Sequence, residues 1–425
     1  MLGDTRLPRR QRRARTLVGG VALLAATALA LSGCTSADAP AGQAPSQGSS
    51  ASPAADLTLK IGTLLPQSGG LAFQGPAQEA GVALAVKDIN EADMGITIDV
   101  AYRDSGDTTT DTSNIALTDL LGDGATAIVG TASSGLTLSL IDRVADAGVL
   151  MMSPAASSPK LSDYPDKGLL WRTAPSDVLQ GEVLGTTIAA DGHSTLGMVV
   201  LNDPFGTSLA EVVKENFEAA GGKVVSQALF NEGDSSFDAQ ISEVTAAKPD
   251  AIALITFEQV KIIVPKLVSG GFPSENLYFV DANLADYSAE LAPGLLTGAK
   301  GTKGSPLVDT GFNDRLLELD PSLTDFAYAA ESYDAVVVIA LAALAANDTT
   351  GNGMASKLQE VSGGSGGGTK ANSFVDAAKI IRDGGVVDYD GASGPISFGD
   401  NGDITEANIE IFQYKDDNTY ALWEG

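Results

Sequence analysis

Two serine-rich stretches carry the residues whose chemistry is easiest to state. Gly130-Thr131-Ala132-Ser133-Ser134-Gly135 follows a buried apolar run, Ala125 to Val129, and opens a helical stretch from Leu136. Met151-Met152-Ser153-Pro154-Ala155-Ala156-Ser157-Ser158-Pro159 follows the next such run. In open α/β sheets ligands sit beyond the carboxyl ends of strands, where hydroxyls and free helix N–H groups can receive an anion. Both stretches could therefore hold a carboxylate. The same residues also suit a plainer part, with Ser133 or Ser134 capping the helix and Ser157 starting a turn.

Covalent chemistry has little to draw on. His193 is the one histidine and Cys34 the one cysteine, so any serine or cysteine nucleophile would depend on His193. Gly363-Gly364-Ser365-Gly366-Gly367 fits G-x-S-x-G in form, but it lies in low-complexity sequence, and His193 precedes it, the reverse of the order in that hydrolase class. The same shortage leaves no zinc set. Asp400-Asn401-Gly402-Asp403 lacks the spacing and terminal glutamate of a calcium loop and reads as a β-turn. No catalytic residue, metal or cofactor is assigned. A carboxylate-based hydrolase stays open, because the distances among the acidic residues are not legible in sequence.

These segments must be positioned by the elements around them. Leu57, Leu59 and Ile61 alternate before a turn at Pro66 to Gly70, and Val82, Ala85, Val86 and Ile89 then recur at helical spacing. Further strands are expected at Ile96 to Tyr102, Ala125 to Val129, Val149 to Met152, Leu196 to Leu201, Val224 to Phe230, Ala251 to Thr256 and Leu277 to Val280. Several are continuous apolar runs, which parallel sheets bury on both faces. The class that follows is α/β, two doubly wound lobes with mostly parallel sheets joined by hinge crossovers. Breaks in the rhythm at Arg172 to Asp177 and at Gly301 to Pro306 suit the crossings. A helical stretch with a long apolar face is expected from Asp325 to Ala346, and Gly363 to Gly368 reads as an exposed loop. The expected division is 57–174 plus 306–408 for lobe 1 and 175–305 plus 409–425 for lobe 2.

The N-terminus adds a location. Arg6, Arg9, Arg10, Arg12, Arg13 and Arg15 precede an uncharged apolar run from Leu17 to Leu31, the layout of a secretion signal. At about 1.5 Å per residue that run is short for a membrane span, and no second apolar run in the sequence reads as one. Leu31-Ser32-Gly33-Cys34 resembles the end of a bacterial lipoprotein signal, which implies cleavage of residues 1–33 and lipidation of Cys34; the alternative is an ordinary signal with an incidental cysteine. Residues 34–55, rich in Ser, Ala, Pro and Gly, then read as a disordered tether. The formal charge is -28, and losing six arginines and Asp4 takes it to -33. Such a chain repels phosphate backbones and anionic lipid, so no nucleic-acid partner is expected, and the membrane is met through the lipid anchor only. The location implied is the extracellular face of the cell membrane.

The chain also resembles the branched-chain amino-acid-binding proteins of ABC importers, solute receptors of the type I periplasmic-binding-protein fold. The resemblance runs from about Leu57 to the C-terminus. It rests on Ile61-Gly62 through Pro66-Gln67-Ser68-Gly69-Gly70, Gly81 to Asn90, Gly130 with its serine pair, Ser153-Pro154-Ala155-Ala156, and Gly394-Pro395-Ile396-Ser397-Phe398 with Gly402-Asp403. It implies a monomeric, non-enzymatic receptor that binds an amino acid between its lobes and hands it to an ABC permease. A ligand sensor of the same fold is the alternative. The resemblance assigns the ligand carboxylate to Ser134, Ala155 and Ser157, and the ammonium to Asp281. It assigns aromatic contacts to Phe205 and Phe257. Gln74 stands where the family often has an aromatic wall, and Ser133 replaces one cysteine of the family's lobe-one disulfide.

Overall fold

The computed structural model describes residues 56–304, 310–364 and 366–425. The secretion signal, Cys34, the tether, Ser305 and Pro306 of the second expected crossing, and Ser365 lie outside the described residues.

The first sheet comprises β1 (Leu57–Leu65), β2 (Ile96–Asp104), β3 (Ala127–Gly130), β4 (Leu150–Ser153) and β5 (Leu170–Arg172), in the order β2-β1-β3-β4-β5, with every pairing parallel. The second comprises β6 (Thr195–Leu201), β7 (Lys223–Phe230), β8 (Ala251–Ile255), β9 (Leu277–Phe279) and β10 (Lys300–Gly304). A small three-stranded sheet, β11 (Thr369–Ala371), β12 (Val387–Gly391) and β13 (Gly394–Pro395), follows. Then β14 (Ile409–Tyr414) and β15 (Tyr420–Leu422) return to the second sheet as antiparallel strands, giving β15-β14-β10-β9-β8-β6-β7. Each of the eight strands read from the sequence is present, within about two residues at either end. The apolar runs that form β3, β4 and β8 are buried at every position, as a sheet covered on both faces requires.

Helices cover the sheets. Those that matter for the cleft are α1 (Gly75–Ala92), α2 (Thr112–Gly122), α3 (Ser134–Asp146), α4 (Asp177–Ala190) and α5 (Pro204–Ala219), with α6 (Asp238–Ala246), α7 (Val260–Ser269) and α8 (Thr310–Leu319) beyond them. The helix expected from Asp325 starts later, as α9 (Ala329–Ala346), because the Asp325 carboxylate accepts from the Ala327 N–H at 2.6 Å and ties off a turn ahead of it. By length and composition α9 could cross a membrane, contrary to the expectation of no second such run. It is instead a core helix, buried on nearly all sides and packed with α1, β1 and β3 in the first hydrophobic core.

The core assignments place residues 312–398 with the first sheet, and the second sheet builds a separate core around Phe217, Phe230 and Phe279. The chain passes from β5 into α4 at Arg172 to Asp177, the first expected crossing. The second starts later than expected, since Gly301–Gly304 is still strand β10.

Candidate functional site

The carboxyl ends of β3 and β4 hold the two serine stretches. Gly130 has φ of 132°, and a Cβ there would lie 2.2 Å from the Leu64 carbonyl oxygen, so glycine is required for the chain to turn away from β1 at this point. The two serines that follow then divide the work. Ser133 caps α3, its Oγ accepting from the Leu136 N–H at 3.3 Å. Ser134 is thereby freed from capping; its Oγ accepts from the Ser158 N–H at 3.1 Å and ties the two stretches together. Ser153 Oγ donates to the Thr131 carbonyl at 2.7 Å and accepts from the Ala156 N–H at 2.9 Å, so the second stretch is held as firmly as the first.

Arg172 fixes this wall from behind. Its side chain is 1 % exposed, donates to the Ala156 and Ser158 carbonyls at 3.2 and 3.0 Å, and forms an ion pair with Asp403 at 2.5 Å. Asp403, in the acidic turn read from the sequence, thus anchors the serine wall through Arg172. Nothing in the local sequence pairs residues so far apart.

All seven residues expected at the site, Gln74, Ser134, Ala155, Ser157, Phe205, Phe257 and Asp281, line one cavity, together with Leu71, Ala132, Ser133, Ala282 and Tyr328. Phe205 opens α5 and Phe257 follows β8; their rings stack at 5.7 Å and belong to the second core as well as to the cavity wall. Gln74 ends the turn before α1 and is buried; its Oε1 accepts from Gln78 Nε2 at 3.5 Å, while its Nε2 has no partner among the described residues. The cavity measures about 10 Å³, room for a single water centre.

The opposite wall is anionic. Asp281 follows β9 and is 7 % exposed; one carboxylate oxygen accepts from the Tyr328 hydroxyl, and the other has no partner among the described residues. Burial raises its pKa, against the Tyr328 hydroxyl and, from nearby but outside hydrogen-bond geometry, the Gln180 amide and the Ala282 N–H, which favour the charge. Asp177, at the start of α4, is buried, and neither oxygen is in hydrogen-bond geometry with a donor among the described residues. Burial and the charge of Asp281 push its pKa well up, and the nearby Ser157 hydroxyl offsets only part of this. The sequence reading missed Tyr328, a lining residue, and Asp177, which interacts with Asp281 through charge without lining the cavity. The signal for Asp177 was its place at the first crossing; Tyr328 stood in a stretch read as helix interior, and its φ of 60° turns it out of α9 instead.

Both lobes meet around this cavity. The Thr108 N–H and hydroxyl donate to Glu232, Ser158 Oγ donates to the Pro204 carbonyl at 2.9 Å, and Lys160 Nζ donates to Thr207 Oγ1 at 3.2 Å. Asp203, the cap of α5, is pushed up to about 7, mainly by burial.

Residues 58–419 match the family model described as periplasmic binding protein. A leucine-, isoleucine-, valine-, threonine- and alanine-binding protein of Pseudomonas aeruginosa is 34% identical over 196 residues, 45% of this chain and 51% of that protein, so the match spans about half of that relative. The chemotactic signal transduction substrate-binding protein BasB of Halobacterium salinarum is 26% identical over 84% of this chain and 86% of its own length. Among solved structures, a leucine binding protein of Thermotoga maritima superposes with a TM-score of 0.71 at 20% identity, covering 86% of this chain and 97% of that one. A solute binding protein of an ABC transporter from Rhodopseudomonas palustris, in complex with 3,4-dihydroxy benzoic acid, gives 0.69 at 18% identity over 86% and 96%. These structural likenesses share the two-lobed type I fold.

Proposed function

The chain belongs to the periplasmic binding protein family, and from that premise we propose that it captures an α-amino acid between its lobes outside the cell and delivers it to an ABC permease. In this reading the ligand carboxylate meets Ser134, Ala155 and Ser157, Phe205 and Phe257 pack its carbon frame, and Gln74 borders its side chain. Cys34 carries the lipid that holds the receptor at the membrane. The role is binding, with no covalent step.

One observation carries the choice of ligand class. Asp281, one of whose oxygens has no hydrogen-bond partner among the described residues, lines the same cavity as Ser134. A buried carboxylate with a free acceptor needs a donor-rich cation, and an α-ammonium supplies three N–H groups. A benzoate, the type of ligand in the R. palustris structure, would add a second negative charge and could meet that oxygen only through a neutral ring hydroxyl. Ligand closure then follows from contacts to both lobes, since a solute touching both favours the closed state.

Calorimetry on ligand-free protein with alanine, leucine, glutamine and 4-hydroxybenzoate tests the class. Amino-acid binding is expected, with Asp281→Asn costing about 2 to 5 kcal/mol. Benzoate binding that survives Asp281→Asn would overturn the reading. Anchoring has its own test: Cys34→Ala should move the folded protein from the membrane to the soluble fraction, and retention in the membrane would remove the lipid from the account.

A second reading, a sensor of the same fold, is favoured by the match to BasB along most of both chains. Stimulation of a reconstituted permease ATPase by the loaded receptor separates the two.

A further inference from the structure

Behind the hydrogen bond from Tyr328 to Asp281 the cleft widens into a second cavity of about 310 Å³, at the lower end of small-molecule sites. Ser157, Asp281 and Tyr328 line both cavities, so the two share a wall. Phe326, Phe412 and Tyr420 supply aromatic lining. The charged lining is Asp281, Asp325, Glu331 and the exposed Asp286, with Lys303 the one basic side chain among the described lining residues.

Lys303 acts as a test charge already in place. Burial opposes its ammonium, yet Tyr420, Asp325 and Glu331 outweigh burial and hold it above the ordinary lysine range. The described lining thus sets four carboxyl groups against a single ammonium, an excess of acceptors that suits a second cation. Asp281, more than nine-tenths buried, lines this cavity as well as the first, so an α-ammonium held by it would stand on the wall that the two cavities share.

We propose that this cavity is a second chamber of the ligand site and takes the far end of an elongated amino acid bearing a distal cation, a primary ammonium or a guanidinium. The inference rests on the amino-acid reading above. The ligand's apolar stem passes Ser157 and Tyr328 along the aromatic lining, and its charged head meets Asp325 and Glu331. Long cationic side chains suit such a path, since the stem can be buried while the head keeps polar partners. Aromatic faces add to the attraction for a cation. A distal carboxylate would have to pair with Lys303 against the surrounding acids.

Calorimetry on the full chain, purified free of ligand, with lysine, arginine, norleucine, alanine and glutamate tests this. Lysine or arginine is expected to bind at least tenfold more tightly than norleucine, with glutamate weaker than both. Asp325→Asn, which keeps the acceptor for the Ala327 N–H, should shrink the lysine-to-norleucine ratio severalfold; Glu331→Gln is the second variant should the first misfold. Norleucine equal to or tighter than lysine, or an unchanged ratio in the folded variants, would overturn the chamber. Preferred glutamate would also overturn it, assigning Lys303 to an anion. Binding of alanine and norleucine without any gain from the distal cation leaves the amino-acid reading standing and removes the chamber alone. Failure of the whole panel removes both.

Discussion

On the first-lobe wall of the cleft the polar atoms are consumed by the fold. Ser133 caps α3, Ser134 accepts from Ser158, Ser153 joins the two loops, and Arg172 braces their carbonyls from behind. Across the cavity, Asp281 has one oxygen without a partner among the described residues, and of the buried carboxyls outside the lining Asp177 has two and Asp203 one. A satisfied wall holds its shape whether or not a ligand is present, whereas buried acceptors without donors each cost about 1 to 3 kcal/mol. The contrast teaches where selectivity is stored: the serine wall is a fixed template, and the acidic wall holds unmet demand that a cationic ligand can satisfy. Proteins commonly lose stability at sites kept ready in this way.

The largest test of the contrast is the dependence of stability on pH. The Asp203 pKa rises from the ordinary 3.8 to about 7 in the folded protein, chiefly through burial. Between those values the folded state holds a proton that the unfolded chain lacks, so this group's contribution is most favourable below the unfolded value and falls as pH rises through the folded one. At about 1.4 kcal/mol per unit the full swing is on the order of 4 kcal/mol. Glu331, pushed up to about 7, and Asp334, pushed up to about 6, both mainly by burial, act in the same direction. Urea unfolding of ligand-free protein should therefore show stability declining from pH 5 to pH 8. Asp203→Asn, whose amide oxygen can still cap α5, should flatten that decline. A variant with the wild-type slope would mean that Asp203 is not under stress, and the contrast between the walls would weaken.

How much of this was legible in the sequence follows the same division. Short apolar runs and helical spacing are local signals, so the strands from β1 to β9 that were read and the turn into α3 were within reach. The serine wall was legible because each stretch directly follows its strand. The acidic wall depends on partners far apart in the chain: Tyr328 meets Asp281 only because α9 begins late, and Arg172 finds Asp403 only after the whole intervening fold is built. Asp281, Phe205 and Phe257 came from the family resemblance, since an aspartate after a strand reads locally as a solvated turn residue. The returning strands β14 and β15 went unread, being short and at best half-buried at most positions, without the continuous apolar signal of the parallel strands.

Gln74 breaks the rule from the satisfied side, and it yields the smallest and sharpest test. It sits on the first lobe and is 1 % exposed, and among the described residues neither its Nε2 nor Gln78 Oε1 has a partner. These two amides could satisfy each other more fully, yet only one bond of 3.5 Å joins them. A ligand side chain offering an acceptor would complete Gln74, whereas an aliphatic one would bury its donor unpaired. Gln74→Leu should therefore improve leucine binding by about 1 kcal/mol, roughly fivefold, and weaken glutamine by a similar amount. Competition calorimetry with the two ligands reads the ratio directly, free of changes in active fraction. Wild type that already prefers leucine, with the ratio unmoved by Gln74→Leu, would show that this amide borders the ligand without selecting it. The demand for donors and acceptors would then belong to the acidic wall alone, and the contrast between the two walls would become stricter.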